Sequence, residues 1–207
     1  MKNSNRSSLK VILILFLVLV GSGLGIKTLA DTGELDTIWD YSLPDCHLIR
    51  GITGAEDIAT VDGGTRVLIS ATDRQKLQPD QKSGVYLYDG TKPPTLVLAT
   101  NGDPQGISAL ETEAGTRVFL VVHQKIHDVV QIFDWSSDRL NLIQQVEFED
   151  VTALNGIVGI DSNRFFVTQE LGMSFALGRE VEKLLRLPLG KLIDKKKTSL
   201  SSSFFYF

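Results

Sequence analysis

The stretch Ile52-Thr53-Gly54-Ala55-Glu56-Asp57-Ile58 puts two adjacent carboxylates at the mouth of an apolar, strand-like run, directly after a glycine. Successive side chains on a strand point to opposite faces. Glu56 and Asp57 therefore suit two sites stacked one above the other better than one shared site. Carboxylate oxygens are donors for hard cations, and Ca2+ takes six to eight oxygens, backbone carbonyls and Asn side chains included. A solvated acidic turn is the plainer reading of a lone Glu-Asp pair, so the surrounding elements carry the argument.

Those elements read as short strands. His47-Leu48-Ile49-Arg50 is short and extended. Asp62-Gly63-Gly64 is a turn signal before the apolar run Arg66 to Ser70. Gly84 to Asp89 is a strand closing on the Asp89-Gly90 turn. Pro93-Pro94 separates it from Thr95 to Ala99. The pattern then repeats. Gly64-Thr65-Arg66-Val67 returns as Gly115-Thr116-Arg117-Val118, Tyr86 to Asp89 as Gln131 to Asp134, and Thr95 to Leu98 as Arg139 to Ile143. A third copy begins at Asp161 and runs to Val167. A period of about 45–51 residues predicts an all-β fold of β-propeller type, one four-stranded sheet per blade. A β-sandwich accounts for the strands but not for the period. About two to three blades fit. Gly178 to Leu189 reads as a short amphipathic helix with Val181, Leu184 and Leu185 on one face, stopped by Pro188. Residues 191–207 read as a low-complexity tail without strand pattern, either a basic-aromatic membrane tail or the mark of a lost continuation.

The chain has 207 residues and a net charge of -4, which suits one domain and gives no basic surface for nucleic acid. Lys2, Arg6 and Lys10 precede the uncharged run Val11 to Ile26. At about 16 residues this run is short of the roughly 20 that span a bilayer and long enough for a signal-peptide core. Residues 1–30 are thus a signal peptide or a signal-anchor, with possible membrane association through residues 11–26. Either predicts a secreted chain or one anchored on the extracytoplasmic side, in an oxidising compartment. Cys46 has no partner in the chain. Nucleophile-elbow, zinc-spaced Cys/His, phosphate-loop and dinucleotide signatures are absent from the sequence.

From Leu43 to about Leu189 the residues resemble the paraoxonase/arylesterase family. Leu43-Pro44-Asp45-Cys46-His47-Leu48 resembles its opening segment, and Gly54-Ala55-Glu56-Asp57 its Gly-Ser-Glu-Asp calcium motif. Asp103-Pro104-Gln105-Gly106-Ile107-Ser108 resembles its Asn-Pro-His-Gly-Ile-Ser loop, and Leu154-Asn155-Gly156-Ile157-Val158 its Leu-Asn-Asp-Ile-Val segment. Phe166 to Glu170 falls on a Tyr-Gly-Thr-Asn-Asp type stretch, and Leu184 to Gly190 on a helix-to-strand passage. The resemblance implies a six-bladed propeller with two calcium ions in its central channel, hydrolysing aryl esters and lactones. Residues 43–190 would form part of it, the N-terminal half. Glu56 and Asn155 would hold the catalytic calcium, Asp57 and the carbonyl of Ile107 the structural one. The bridge partner of Cys46 would lie outside this chain.

Two positions depart from the family pattern. Gln105 stands where the family has a proposed catalytic histidine, and an amide is no base near neutral pH. Gly156 stands where the family has an aspartate. His123, with His127 as the other candidate, lies near the second family histidine. Two functions follow: a calcium-dependent carboxylic ester hydrolase acting on small esters or lactones, incomplete and inactive alone if the missing blades are required, or a non-catalytic propeller-type binding module anchored at a membrane.

Overall fold

The computed structural model describes residues 4–31, 33, 37, 46–75, 80–148, 151–196 and 203–206. Residues 43–45 of the opening segment and 197–202 and 207 of the tail lie outside them. The chain divides into two compact units, 1–47 and 48–207.

In the first unit, helix α1 runs Ser4–Asp31. Its segment Leu9–Ala30 has 22 residues, a mean hydropathy of 2.5 and no residue buried in the unit. The helix continues through Lys10 and Lys27, so the apolar element is longer than the uncharged run suggests. At 1.5 Å per residue it reaches about 33 Å, enough by length and composition to cross a bilayer core. A signal sequence passes the same test. Cys46 is exposed and unbridged.

The second unit is all-β with one helix. Twelve strands are described, in three four-stranded antiparallel sheets. The first sheet holds β1 (Ala55–Val61), β2 (Arg66–Ala71), β3 (Gly84–Tyr88) and β4 (Thr95–Ala99). The second holds β5 (Asp103–Thr112), β6 (Gly115–His123), β7 (Asp128–Ser136) and β8 (Arg139–Glu147). The third holds β9 (Leu154–Asp161), β10 (Arg164–Gln169), β11 (Lys191–Lys196) and β12 (Ser203–Tyr206), with helix α2 (Ala176–Leu185) between β10 and β11. Strands follow one another across each sheet in chain order. The sequence repeats mark the second, third and fourth strands of successive sheets, as their spacing predicts.

Side-chain alternation explains the stacking. β6 is buried on both faces. Val118, Leu120 and Val122 enter one cluster with Val61, Leu68, Val85 and Leu87 of the first sheet, while Phe119 and Val121 enter another with Leu154, Phe165, Val167 and Ile193 of the third. Opposite residues on one strand feeding two cores means that the second sheet lies between the other two. Gly159 on β9 makes room for it, because a Cβ there would fall 2.4 Å from the Phe119 ring.

Four expectations are corrected. Leu48 to Arg50 form no strand. Asp103 to Ser108 is the start of β5 and not a loop; Pro104 and Gly106 disguise it, because both are unusual inside strands. The tail from 191 contributes two strands, β11 paired with β10 and β12 with β11. Ile193 is fully buried there, and Arg164 makes two hydrogen bonds to Asp194, at 2.9 and 2.7 Å. That pairing holds a lysine-rich segment in a sheet. Helix α2 is the fourth. It ends at Arg186, in the left-handed conformation with φ 51, two residues before the proline. Its apolar face is turned outward, with Leu177, Leu184 and Leu185 exposed, and the side it buries carries Gly178 and Glu182.

Candidate metal and active site

The first strands of the sheets lie side by side, β5 between β1 and β9. Each carries a β-bulge near its start. In the first sheet Ala55 pairs with Ala71 and Asp57 with Ser70, leaving Glu56 as the extra residue. In the second, Pro104 pairs with Val122 and Ile107 with Leu120, so Gln105 and Gly106 share one partner position. In the third, Leu154 pairs with Gln169 and Ile157 with Val167, so Asn155 and Gly156 face Thr168 together. An extra residue bends the strand and re-aims its side chains. Strict alternation, which the sequence argument assumed for Glu56 and Asp57, does not hold at such a point.

Short contacts bring the bulges together. The Asp57 carboxylate accepts the N–H of Ile58 through Oδ1 at 2.8 Å and that of Ile107, on the next sheet, through Oδ2 at 2.9 Å. Ser70, fully buried, donates to the carbonyl of Gln105 and accepts the N–H of Asp57 at 3.1 Å. Gly106 lies so close to β9 that a Cβ would sit 2.2 Å from the carbonyl oxygen of Asn155. Glu56 pairs with Arg74 at 3.2 Å, on a cleft of about 290 Å3 shared with Thr53, Gly54 and Thr72. Gln105 is buried, and its amide donates to the carbonyl of Pro104 at 3.1 Å. Asn155 donates its amide Nδ2 to Glu170 Oε1.

His123, at the end of β6, borders a cleft of about 650 Å3 with Asn101, Asp103 and His127. Its Nε2 faces the carbonyl of Leu154 at 2.5 Å and Asp128 at 3.5 Å. A carbonyl only accepts, so Nε2 carries a proton. Asp128 also takes the N–H of Leu154 at 2.9 Å. His123 and Asp128 thus strap β6 and β7 to the start of β9. His127 lies 3.7 Å from Glu147.

Among the described residues no three His, Cys, Asp or Glu side chains converge. The rim instead offers carboxylates, an amide and backbone carbonyls, an all-oxygen set that fits a hard cation in kind. It supplies fewer than the six to eight oxygens of Ca2+, so water and further donors have to complete the shell. Sequence reasoning passed over Ser70, Glu170 and Glu182. Of these only Glu170 left a signal, a carboxylate closing the strand Phe166 to Gln169.

The arylesterase family model matches residues 38–195. The chain belongs to the arylesterase family. The match takes in all three bulges, helix α2 and nearly all of β11, which places the lysine-rich strand within the family region. The serum paraoxonase/arylesterase 2 proteins of Bos taurus, Canis lupus familiaris and Homo sapiens are each 26% identical to this arylesterase-family chain over 161 residues. The aligned part is 70% of this chain and 46% of each relative, so the chain spans about half the length of the curated relatives it matches.

Proposed function

We propose that the three sheets are consecutive blades of a β-propeller and that their bulged rim is the metal-binding end of a calcium-dependent carboxylic ester hydrolase. The observation that carries this reading is the set of three bulges. Glu56, Gln105–Gly106 and Asn155–Gly156 are the motif residues that resemble the family's calcium and catalytic segments, and each group sits where its strand departs from regular pairing. Glu56 and Asn155 would hold one ion; Asp57 and the Ile107 carbonyl would hold a second. Calcium bound there would polarise an ester carbonyl and steady the negative charge that develops on its oxygen.

The protein's own groups do the rest. The Asp57–Ile107 hydrogen bond fixes the first sheet against the second, so the donors keep their spacing. The Leu154 carbonyl and Asp128 hold the His123 ring, leaving Nδ1 to take a proton from a water molecule in the adjoining cleft. Gln105 cannot share that task. The substrates would be small aryl esters or lactones, as the relatives' name suggests for the former. Residues 1–30 would export the chain or anchor it, with 43–190 and the strands that follow facing the extracytoplasmic side. The test is hydrolysis of phenyl acetate and a γ-lactone by the full chain in detergent. Turnover that needs calcium and disappears in Asn155→Ala supports the reading. Turnover indifferent to chelator and to that substitution, or none from a folded calcium-loaded chain, contradicts it.

A further inference from the structure

We propose that Glu170 is a positioning residue that sets the orientation of the Asn155 amide so that its oxygen, and not its nitrogen, is presented to the cation. This rests on the reading of Asn155 as a calcium ligand. An asparagine side chain has an acceptor oxygen and a donor NH2 on one planar group, and a half-turn of the amide exchanges them. Only the oxygen can ligate a metal. An ionised carboxylate accepts and never donates, so the hydrogen bond from Asn155 Nδ2 to Glu170 Oε1 fixes which end faces away from the strand end of β10.

Glu170 is exposed, but the backbone that carries it is held on both sides. Its backbone N–H donates to the carbonyl of Ala153 at 2.8 Å, two residues before Asn155, where Ala153 adopts a positive φ of 60. On one side, buried Gln169 donates from Nε2 to the carbonyl of Leu171 at 2.7 Å. On the other, Glu182 of α2, only 2% exposed, accepts the N–H groups of Gly172 and Met173 at 2.8 and 2.9 Å. This explains why the helix buries a carboxylate while Leu177 and Leu184 stay outside: Glu182 caps the loop that carries Glu170. The line of contacts runs from Glu182 through residues 170–173 to Asn155.

The experiment is a CaCl2 titration by calorimetry of the full chain in detergent, comparing the native chain with Asn155→Ala, Glu170→Gln and Glu170→Asp. The circular dichroism spectrum and thermal midpoint without calcium check that each is folded. Loss of an outer partner of a metal ligand weakens binding about 10–100-fold. Glu170→Gln is expected to fall in that range, because Gln can present its own NH2 to Asn155 and no longer dictates the amide. Glu170→Asp should recover part of the loss. Glu170→Gln binding calcium as tightly as the native chain, while Asn155→Ala does not, overturns the role of Glu170 and leaves the ligand reading intact. Native-level binding by Asn155→Ala overturns both.

Discussion

The two ends of the first strands are built on opposite principles. At the turn end, charge is matched within the protein. Arg66 reaches Asp62 and Asp138, each at 2.7 Å, joining the β1–β2 turn of the first sheet to the β7–β8 turn of the second. Trp135 Nε1 donates to Asp62 at 3.1 Å, and the guanidinium lies 5.7 Å from the Trp135 ring centre. The hydrogen bond to Asp138 leads the contacts that raise the Arg66 pKa. At the rim end, Asp57 is satisfied by backbone N–H groups and Glu170 by an amide, and Glu56 meets an arginine that is half exposed. A carboxylate held by neutral donors keeps its negative charge available to an incoming cation. The turn end is a latch, and in the function proposed above the rim is a receptor, although they are ends of the same strands.

Substitutions can sharpen that contrast. The largest effect is expected at the rim for Gly106→Ala. Its Cβ would overlap the Asn155 carbonyl oxygen on the neighbouring sheet, and backbone cannot swing aside as a side chain can. Overpacking of this kind costs about 1–3 kcal/mol, and chemical denaturation should place the loss at or above the top of that range. Asp57→Ala strands the N–H of Ile107 and should cost about 1–3 kcal/mol with no calcium present. Equal midpoints for Asp57→Ala and the native chain would show that the carboxylate does not tie the first two sheets together. Arg66→Ala should cost about 1 kcal/mol, as partly exposed ion pairs do, and the loss should be the same with calcium or chelator.

The smallest effect lies at the turn end beyond β3. Asp89 accepts the N–H groups of Lys92 and Thr91 and the Thr91 hydroxyl, with Lys92 foremost, and these lower its pKa from 3.8 to about 2. A depressed carboxylate stabilises the fold above its unfolded value. That contribution is whole above about pH 4 and fades as the pH falls through 2. Asp89→Asn should lower the thermal midpoint slightly at pH 7, and the gap to the native chain should close as the pH falls from 4 to 2.

Much of this was legible in the sequence. The repeat of Gly-Thr-Arg-Val placed the second strands, and the Asp-Gly turn closed the third strand of the first sheet. The first strands were harder, because bulges, a proline and glycines replace alternation there. They are also where the candidate site lies, at Glu56, Gly106 and Asn155, each within an irregular stretch of its strand. The helix misled for a related reason: Val181, Leu184 and Leu185 make an apolar face, yet the loop needs Glu182 more than the core needs leucine. No spacing rule announces a buried glutamate whose partners are two backbone N–H groups ten and nine residues earlier.

The most direct test of receptor against latch is the thermal midpoint of the full chain with excess chelator and with saturating CaCl2, for the native sequence, Glu56→Gln and Arg66→Ala. A ligand present at about 100 times its dissociation constant stabilises the folded state by about 2.7 kcal/mol. The account predicts a calcium-dependent rise in the native chain, the same rise in Arg66→Ala from a lower start, and none in Glu56→Gln. A rise that survives Glu56→Gln but vanishes in Arg66→Ala would place the cation at the wrong end of the strands.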